Sequence, residues 1–231
     1  MAVSRNNKIG TNTESSLHRA LKFSYAEGGK TEEVVDGFIA DGINTDGEYI
    51  EVQTGSFAPL KKKTASFAAL GKVIIIHPIV INKYIENYSE DGELLYRRKS
   101  PKKGCEWDLF DKLMHAPELP LTANISVELA IVDVVEKRVS DGKGSWRRKG
   151  VSIKDRELSA WHSRLRLDCP ADYRCFIPFK KGKEFTALML AEKAGISQGL
   201  ARKTVYVLNK MGVVSRTGKR DRSWLYILPA V

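Results

Sequence analysis

Cysteine is scarce in this 231-residue sequence, which holds only Cys105, Cys169 and Cys175 and no Cys-x-x-Cys pair. An odd count without paired spacing argues against a disulfide framework, and a reducing cytoplasm is the expected compartment. Histidine is nearly as rare, and His18, His77, His115 and His162 are scattered without metal-ligand spacing, so no zinc site is expected. No apolar run approaches the length that spans a bilayer. The longest, residues 73–81, is broken by His77 and Pro78 and suits a buried strand. The opening MAVSRNNKIG has no signal-like apolar core. Internal repeats and low-complexity linkers are also missing.

Positive charge is plentiful. The formal net charge is +10, which suits an anionic partner, although charge alone does not name one. Its distribution says more. Residues 185–231 carry eight Lys or Arg against two acids, and two further basic clusters, YRRKSPKKG (96–104) and SWRRKG (145–150), adjoin turn signals.

The apolar periodicity predicts a helix over 13–26, with Leu17, Leu21 and Tyr25 on one stripe. Strands over 33–43 and 48–54 follow, joined by a hairpin turn at Asp46-Gly47. A helix over 58–71 has Pro59 in its first turn. One or two strands over 72–88 lead into a second hairpin at Asp91-Gly92. A short helix over 106–115 and a strand over 125–139 come next, and SDGKGS turns the chain back into another strand. Strands interleaved with helices indicate an α/β or α+β fold. The pattern changes near residue 185, so the expected domains are 1–180 and 181–231.

With a five-residue loop at 44–48, Ile43 faces Tyr49, Asp41 faces Glu51 and Ile39 faces Gln53. Opposed residues share a face, and two opposed carboxylates destabilise a strand pair. A hard divalent cation between them would remove that cost. The simpler reading is a pre-turn Asp and a solvated Glu. Glu14 likewise has two readings. In TNTE it can close a capping box on Thr11, or it can point at the sheet one turn before Leu17.

A helix carrying an acid, a strand with Asp41, a strand reading IEVQT and a following helix resemble the core of the PD-(D/E)XK nuclease superfamily, over residues 11–81. The chain is also similar to uncharacterised bacterial proteins sharing IEVQTGSF and RRKSPKKG. The superfamily resemblance implies a restriction-endonuclease-like mixed sheet with flanking helices. It implies that Asp41 and Glu51 hold Mg²⁺ or Mn²⁺, that Glu14 shares a second ion, and that Gln53 stands where the family has lysine. Ala40 also departs from the family's proline. Some members move the lysine to the next helix, and helical geometry selects Lys63: it aligns with Leu60 and Phe67 on the inward stripe, whereas Lys61 and Lys62 face solvent.

The C-terminal segment looks like a winged helix-turn-helix. It comprises a helix over 186–194, a turn at Gly195 and a second helix from Ser197 as N-cap to Met211. The core stripe is Leu200, Ala201, Thr204, Val205, Leu208 and Met211. A hairpin with the basic tip TGKRDR completes it. Gln198, Arg202, Lys203 and Tyr206 on the second helix, with Lys219, Arg220 and Arg222 on the wing, are expected to contact nucleic acid. A protein-docking role is the alternative. Arg97, Arg98, Lys99, Lys102, Lys103, Arg147 and Arg148 are expected on a phosphate backbone.

Cys169 and Cys175 read as buried thiols and His77 as a core residue. Trp146 and Trp161 read as core residues or, alternatively, as base-stacking ones. The expected partner is double-stranded DNA, with RNA and a homodimer left open and no membrane contact. The expected activity is metal-dependent phosphodiester hydrolysis, and the rival is a non-catalytic DNA-binding protein or transcription regulator.

Overall fold

A computed structural model describes residues 14–229. Helix α1 (Ser16–Tyr25) begins at Ser15, whose side chain caps the His18 amide. Glu14 therefore precedes the cap and is not its third helical residue, and Thr11 lies outside the described residues. The span read as one strand over 33–43 is a hairpin of β1 (Lys30–Val35) and β2 (Phe38–Ile43). Its turn is Asp36-Gly37, with φ of 47° and 77°. Two consecutive left-handed residues give the tight hairpin turn that matches strand twist.

β2 pairs antiparallel with β3 (Tyr49–Val52), Ile43 against Tyr49. A 3-10 turn carrying Pro59 leads into α2 (Lys61–Leu70), which returns the chain to β4 (Val73–Tyr88), parallel to β3. β4 turns at Gly92 into β5 (Leu94–Lys99). After the short α3 (Leu109–Leu113), β6 (Ile125–Ser140) runs parallel to β4, and β7 (Val151–Leu167) pairs antiparallel with β6. The result is a mixed seven-stranded sheet of order β1-β2-β3-β4-β6-β7, with β5 on β4.

β3 and β5 share one edge of β4. β3 leaves after Ile76 and β5 joins at Tyr84. Pro78 falls in the gap between them, where its lack of an N–H breaks no ladder bond.

Both faces of β4 are covered. Ile74 and Ile76 pack with Val132 and with Leu17, Leu21 and Tyr25 of α1. Val73 and Ile75 pack on the other face with Phe67 of α2 and Leu109 and Phe110 of α3. This explains an apolar run without alternation. Among the described residues no helix is long and apolar enough to cross a membrane.

Beyond the sheet, α4 (Ala187–Ala194) ends at Gly195 with φ 66°, and α5 (Gln198–Lys210) is capped by Ser197. The hairpin β8 (Ser215–Arg220) and β9 (Ser223–Ile227) follows, and Phe185 bridges Tyr226. Ala201, Val205 and Leu208 of α5 share one apolar cluster with α3, so the core runs unbroken past residue 180. Leu200 is only half-buried and Val207 is fully buried.

Candidate functional site

The paired register of β2 and β3 ends at Gly42–Ile50. Just beyond it, side chains meet the backbone of the facing strand. Asp41 Oδ2 accepts from the Val52 amide at 2.8 Å, and Glu51 Oε1 accepts from the Asp41 amide at 3.4 Å. Each carboxylate therefore reaches across to the backbone of the facing strand. Helices on opposite faces of the sheet reach them. His18 Nε2 of α1 lies 3.3 Å from Asp41 Oδ2, and Lys63 Nζ of α2 lies 2.6 Å from Glu51 Oε1.

Burial separates the two acids electrostatically. Glu51 is 2% exposed. That burial, with the Asp41 charge second, pushes its carboxyl up to about 7 against the pull of Lys63. Burial also acts on Asp41, but the bonds from His18 and the Val52 amide outweigh it and hold its carboxyl below the usual range. Two neighbouring carboxyls driven apart in this way are a recurrent feature of acid–base and metal sites.

A second tier surrounds them. Glu14 lies 3.0 Å from Lys22 Nζ and 3.5 Å from His18 Nε2, so it joins Asp41 through the imidazole. Lys22, itself buried, also bonds Glu32 at 2.8 Å. Glu32 has φ 58°, a left-handed backbone uncommon for a glutamate in a strand. His18, Lys22 and Glu32 were not singled out from the sequence. The only available signal for His18 was its i, i+4 spacing from Glu14.

Gln53 stands apart. Its amide Nε2 donates to the Ser56 carbonyl at 2.6 Å, inside the loop after β3. Lys61 is exposed 3.9 Å from Glu118, and Lys62 is exposed, which leaves Lys63 as the α2 lysine at the carboxylates.

Asp41 Oδ1 and Glu51 Oε2 have no protein partner among the described residues. Two hard oxygens suit a divalent cation that completes its shell with water and substrate phosphate. Among the described residues, no cluster of three or more His, Cys, Asp or Glu is arranged to hold an ion.

Residues 15–168 match the model of a family described as "Domain of unknown function (DUF8091)". The chain belongs to that family. The DUF8091 span takes in His18, Asp41, Glu51 and Lys63, and α4 to β9 lie outside it. The chain is also 32% identical over 151 residues to an "Uncharacterized protein" of Treponema pallidum (strain Nichols), covering 65% of this chain and 60% of that protein. No solved structure matches.

Elsewhere in this DUF8091 chain, Arg97, Arg98, Lys99, Lys102 and Lys103 are exposed. Arg97 and Lys99 sit 5.2 and 5.7 Å over the Tyr84 ring, and Arg97 is also 3.6 Å from Glu86. Trp146 is 83% exposed at the β6–β7 tip, with Arg147 over its ring, so it is not a core residue. Arg148 beside it donates to the Val151 carbonyl. Trp161 does pack, against Tyr25.

On α5, Gln198, Arg202 and Tyr206 are exposed, whereas Lys203 bonds Asp111 of α3 at 2.6 Å and has its charge spent there. Arg220 and Arg222 are exposed. Lys219 and Arg216, the latter missed in the sequence, flank Trp224 at 4.5 and 4.6 Å. Cys169 and Cys175 are exposed, contrary to expectation. Cys169 precedes and Cys175 lies within a 3-10 turn (Asp172–Phe176) whose Tyr173 and Phe176 take the core positions.

Proposed function

We propose that this chain is a metal-dependent nuclease of the PD-(D/E)XK type that hydrolyses phosphodiester bonds in DNA and holds duplex through a C-terminal winged helix. The observation that carries the reading is the meeting of Asp41, Glu51 and Lys63 where β2 and β3 part. Asp41 and Glu51 are the residues that would hold Mg²⁺ or Mn²⁺. Bound there, the cation supplies a water of lowered pKa and neutralises charge on the scissile phosphate.

The chain's own groups do the positioning. His18 orients Asp41 and favours its ionised form. Lys63, its side chain one-fifth exposed, favours ionised Glu51, and its ammonium can steady charge developing on phosphate. Glu14 acts at one remove, through His18.

The winged-helix reading rests on α4 and α5 followed by β8–β9, with the Phe185–Tyr226 bridge as a third short strand. Arg202, Gln198 and Tyr206 would face the groove, with Arg220 and Arg222 on the backbone. Arg97, Arg98, Lys99, Lys102, Lys103 and Arg147 add further backbone contacts, and the exposed Trp146 can stack on an unpaired base.

One observation favours a non-catalytic DNA-binding protein: Gln53, where the PD-(D/E)XK superfamily carries lysine, turns to Ser56 and away from the acids. Incubating the full chain with plasmid, linear duplex and single-stranded DNA in Mg²⁺ or Mn²⁺ separates the readings. Cleavage that chelation stops is expected. Binding without cleavage under every condition would transfer the case to the regulator.

A further inference from the structure

The gap on the β4 edge opens into a cavity of about 330 Å³, lined among others by His77, Val80, Lys83, Lys102 and Lys112. It borders the loop after β3 at Thr54, but Asp41, Glu51 and Lys63 do not line it. The volume lies within the range of small-ligand sites.

Its charge balance favours an anion. Each of its acids is engaged. Buried Glu136 is held by Arg138 at 2.5 Å, Arg156 at 2.9 Å and Lys83 at 3.5 Å. Asp111 is taken by Lys203 and Asp108 by the Cys105 amide. Lys102 and Lys112 have no acidic partner among the described residues. Ser15 and Leu17 bring the first turn of α1 to the same wall, where the Ser16 amide is already taken by Asp155 and the His18 amide by Ser15 Oγ.

His77 adds a second, independent feature. It is 3% exposed, and its Nδ1 lies 2.6 Å from the Gln53 carbonyl, which can only accept. The proton is therefore on Nδ1, and Nε2 is left as a lone-pair acceptor without a protein partner among the described residues. Burial holds the ring neutral, its pKa lowered to about 4. A cavity lined by His77, by two lysines without acidic partners among the described residues and by apolar wall from Leu17, Ile79, Val80 and Val134 selects a ligand with an anion, a hydroxyl donor and a carbon skeleton.

We infer that this cavity binds the sugar-phosphate part of a nucleotide, with Lys102 and Lys112 on the phosphate and His77 Nε2 accepting from a sugar hydroxyl. The inference goes beyond the nuclease reading and does not need it.

Calorimetric titration of the full chain with a nucleoside 5′-monophosphate and with inorganic phosphate, in chelator, tests it. The monophosphate should bind more tightly than phosphate. The Lys102→Ala/Lys112→Ala double variant should weaken it at least about tenfold, as expected for loss of charge-assisted bonds. Lys61→Ala, outside the cavity, should not. The His77 Nε2 resonance of the unaltered protein should shift on adding the monophosphate, a readout that needs no variant to fold. An Asp41→Asn/Glu51→Gln variant should bind the monophosphate as the parent does, which keeps this result separate from any failure of cleavage. Absence of binding at millimolar monophosphate, or equal binding by the double-lysine variant, would overturn the assignment.

Discussion

Asp41 and Glu51 each reach the backbone of the facing strand, Asp41 Oδ2 taking the Val52 amide at 2.8 Å and Glu51 Oε1 the Asp41 amide at 3.4 Å. The same carboxylates that suit a metal through Asp41 Oδ1 and Glu51 Oε2 are thus also structural acceptors through their other oxygens. Isosteric amides retain an acceptor oxygen, whereas alanine leaves an N–H unpaired, at about 1–3 kcal/mol when buried. Asp41→Asn and Glu51→Gln should therefore fold normally and lose divalent-dependent cleavage, while Asp41→Ala should lose both cleavage and stability. Thermal melts beside a plasmid-nicking assay report both. Full activity in Asp41→Asn would confine the residue to the structural role.

The three lysines of α2 offer an internal control. Lys63 touches Glu51 at 2.6 Å, and Lys61 and Lys62 are exposed. Lys63→Ala should reduce the cleavage rate by at least about a hundredfold, the scale of one lost transition-state donor, with DNA affinity retained. Lys61→Ala and Lys62→Ala should lower affinity slightly at most. Equal effects from all three would indicate an ordinary basic patch.

Glu51 also predicts a pH dependence. Its carboxyl lies near 7 in the folded chain against about 4.3 unfolded. With the folded value raised, its stabilising contribution is complete below the unfolded value and is lost as pH climbs to about 7. A shift of this size corresponds to about 4 kcal/mol. Buried His77, lowered to about 4, works the other way and costs stability as pH falls below its unfolded value. The two oppose each other, so the difference profile is the informative one. In metal-free buffer, Glu51→Gln should gain on the parent between pH 4.5 and 7 in urea denaturation. A flat difference would contradict the buried-carboxyl reading.

The C-terminal surface separates by salt dependence. Arg202 and Arg222 are free to meet phosphate, whereas Lys203 is paired with Asp111. Replacing either arginine with alanine should reduce the log K against log salt slope by about 0.9. Lys203→Ala should leave the slope almost unchanged. A comparable loss at Lys203 would show that the Asp111 pair opens when DNA binds.

Much of this site was legible because short-range geometry dictated it. Asp46-Gly47 set the register that places Ile43 against Tyr49, and 3.6-residue periodicity singled out Lys63. The same turn chemistry at Asp36-Gly37 was available, but the apolar run around it read as one strand, which concealed β1 and Glu32. His18 and Lys22 were out of reach for another reason. Their partners lie 23 and 10 residues away on strands, and helical spacing does not say which acid a basic side chain will meet. Trp146 was read as a core residue with base stacking as the alternative, and its place at a hairpin tip exposes it.

Mn²⁺ titration followed by electron paramagnetic resonance tests the central claim most directly, because it observes the ion and not the product. The parent chain should bind Mn²⁺ at a site that Asp41→Asn and Glu51→Gln each weaken at least about tenfold, with Mg²⁺ competing for it. Mn²⁺ binding that is absent, or unchanged in both variants, would mean that Asp41 and Glu51 serve only to hold β2 and β3 together.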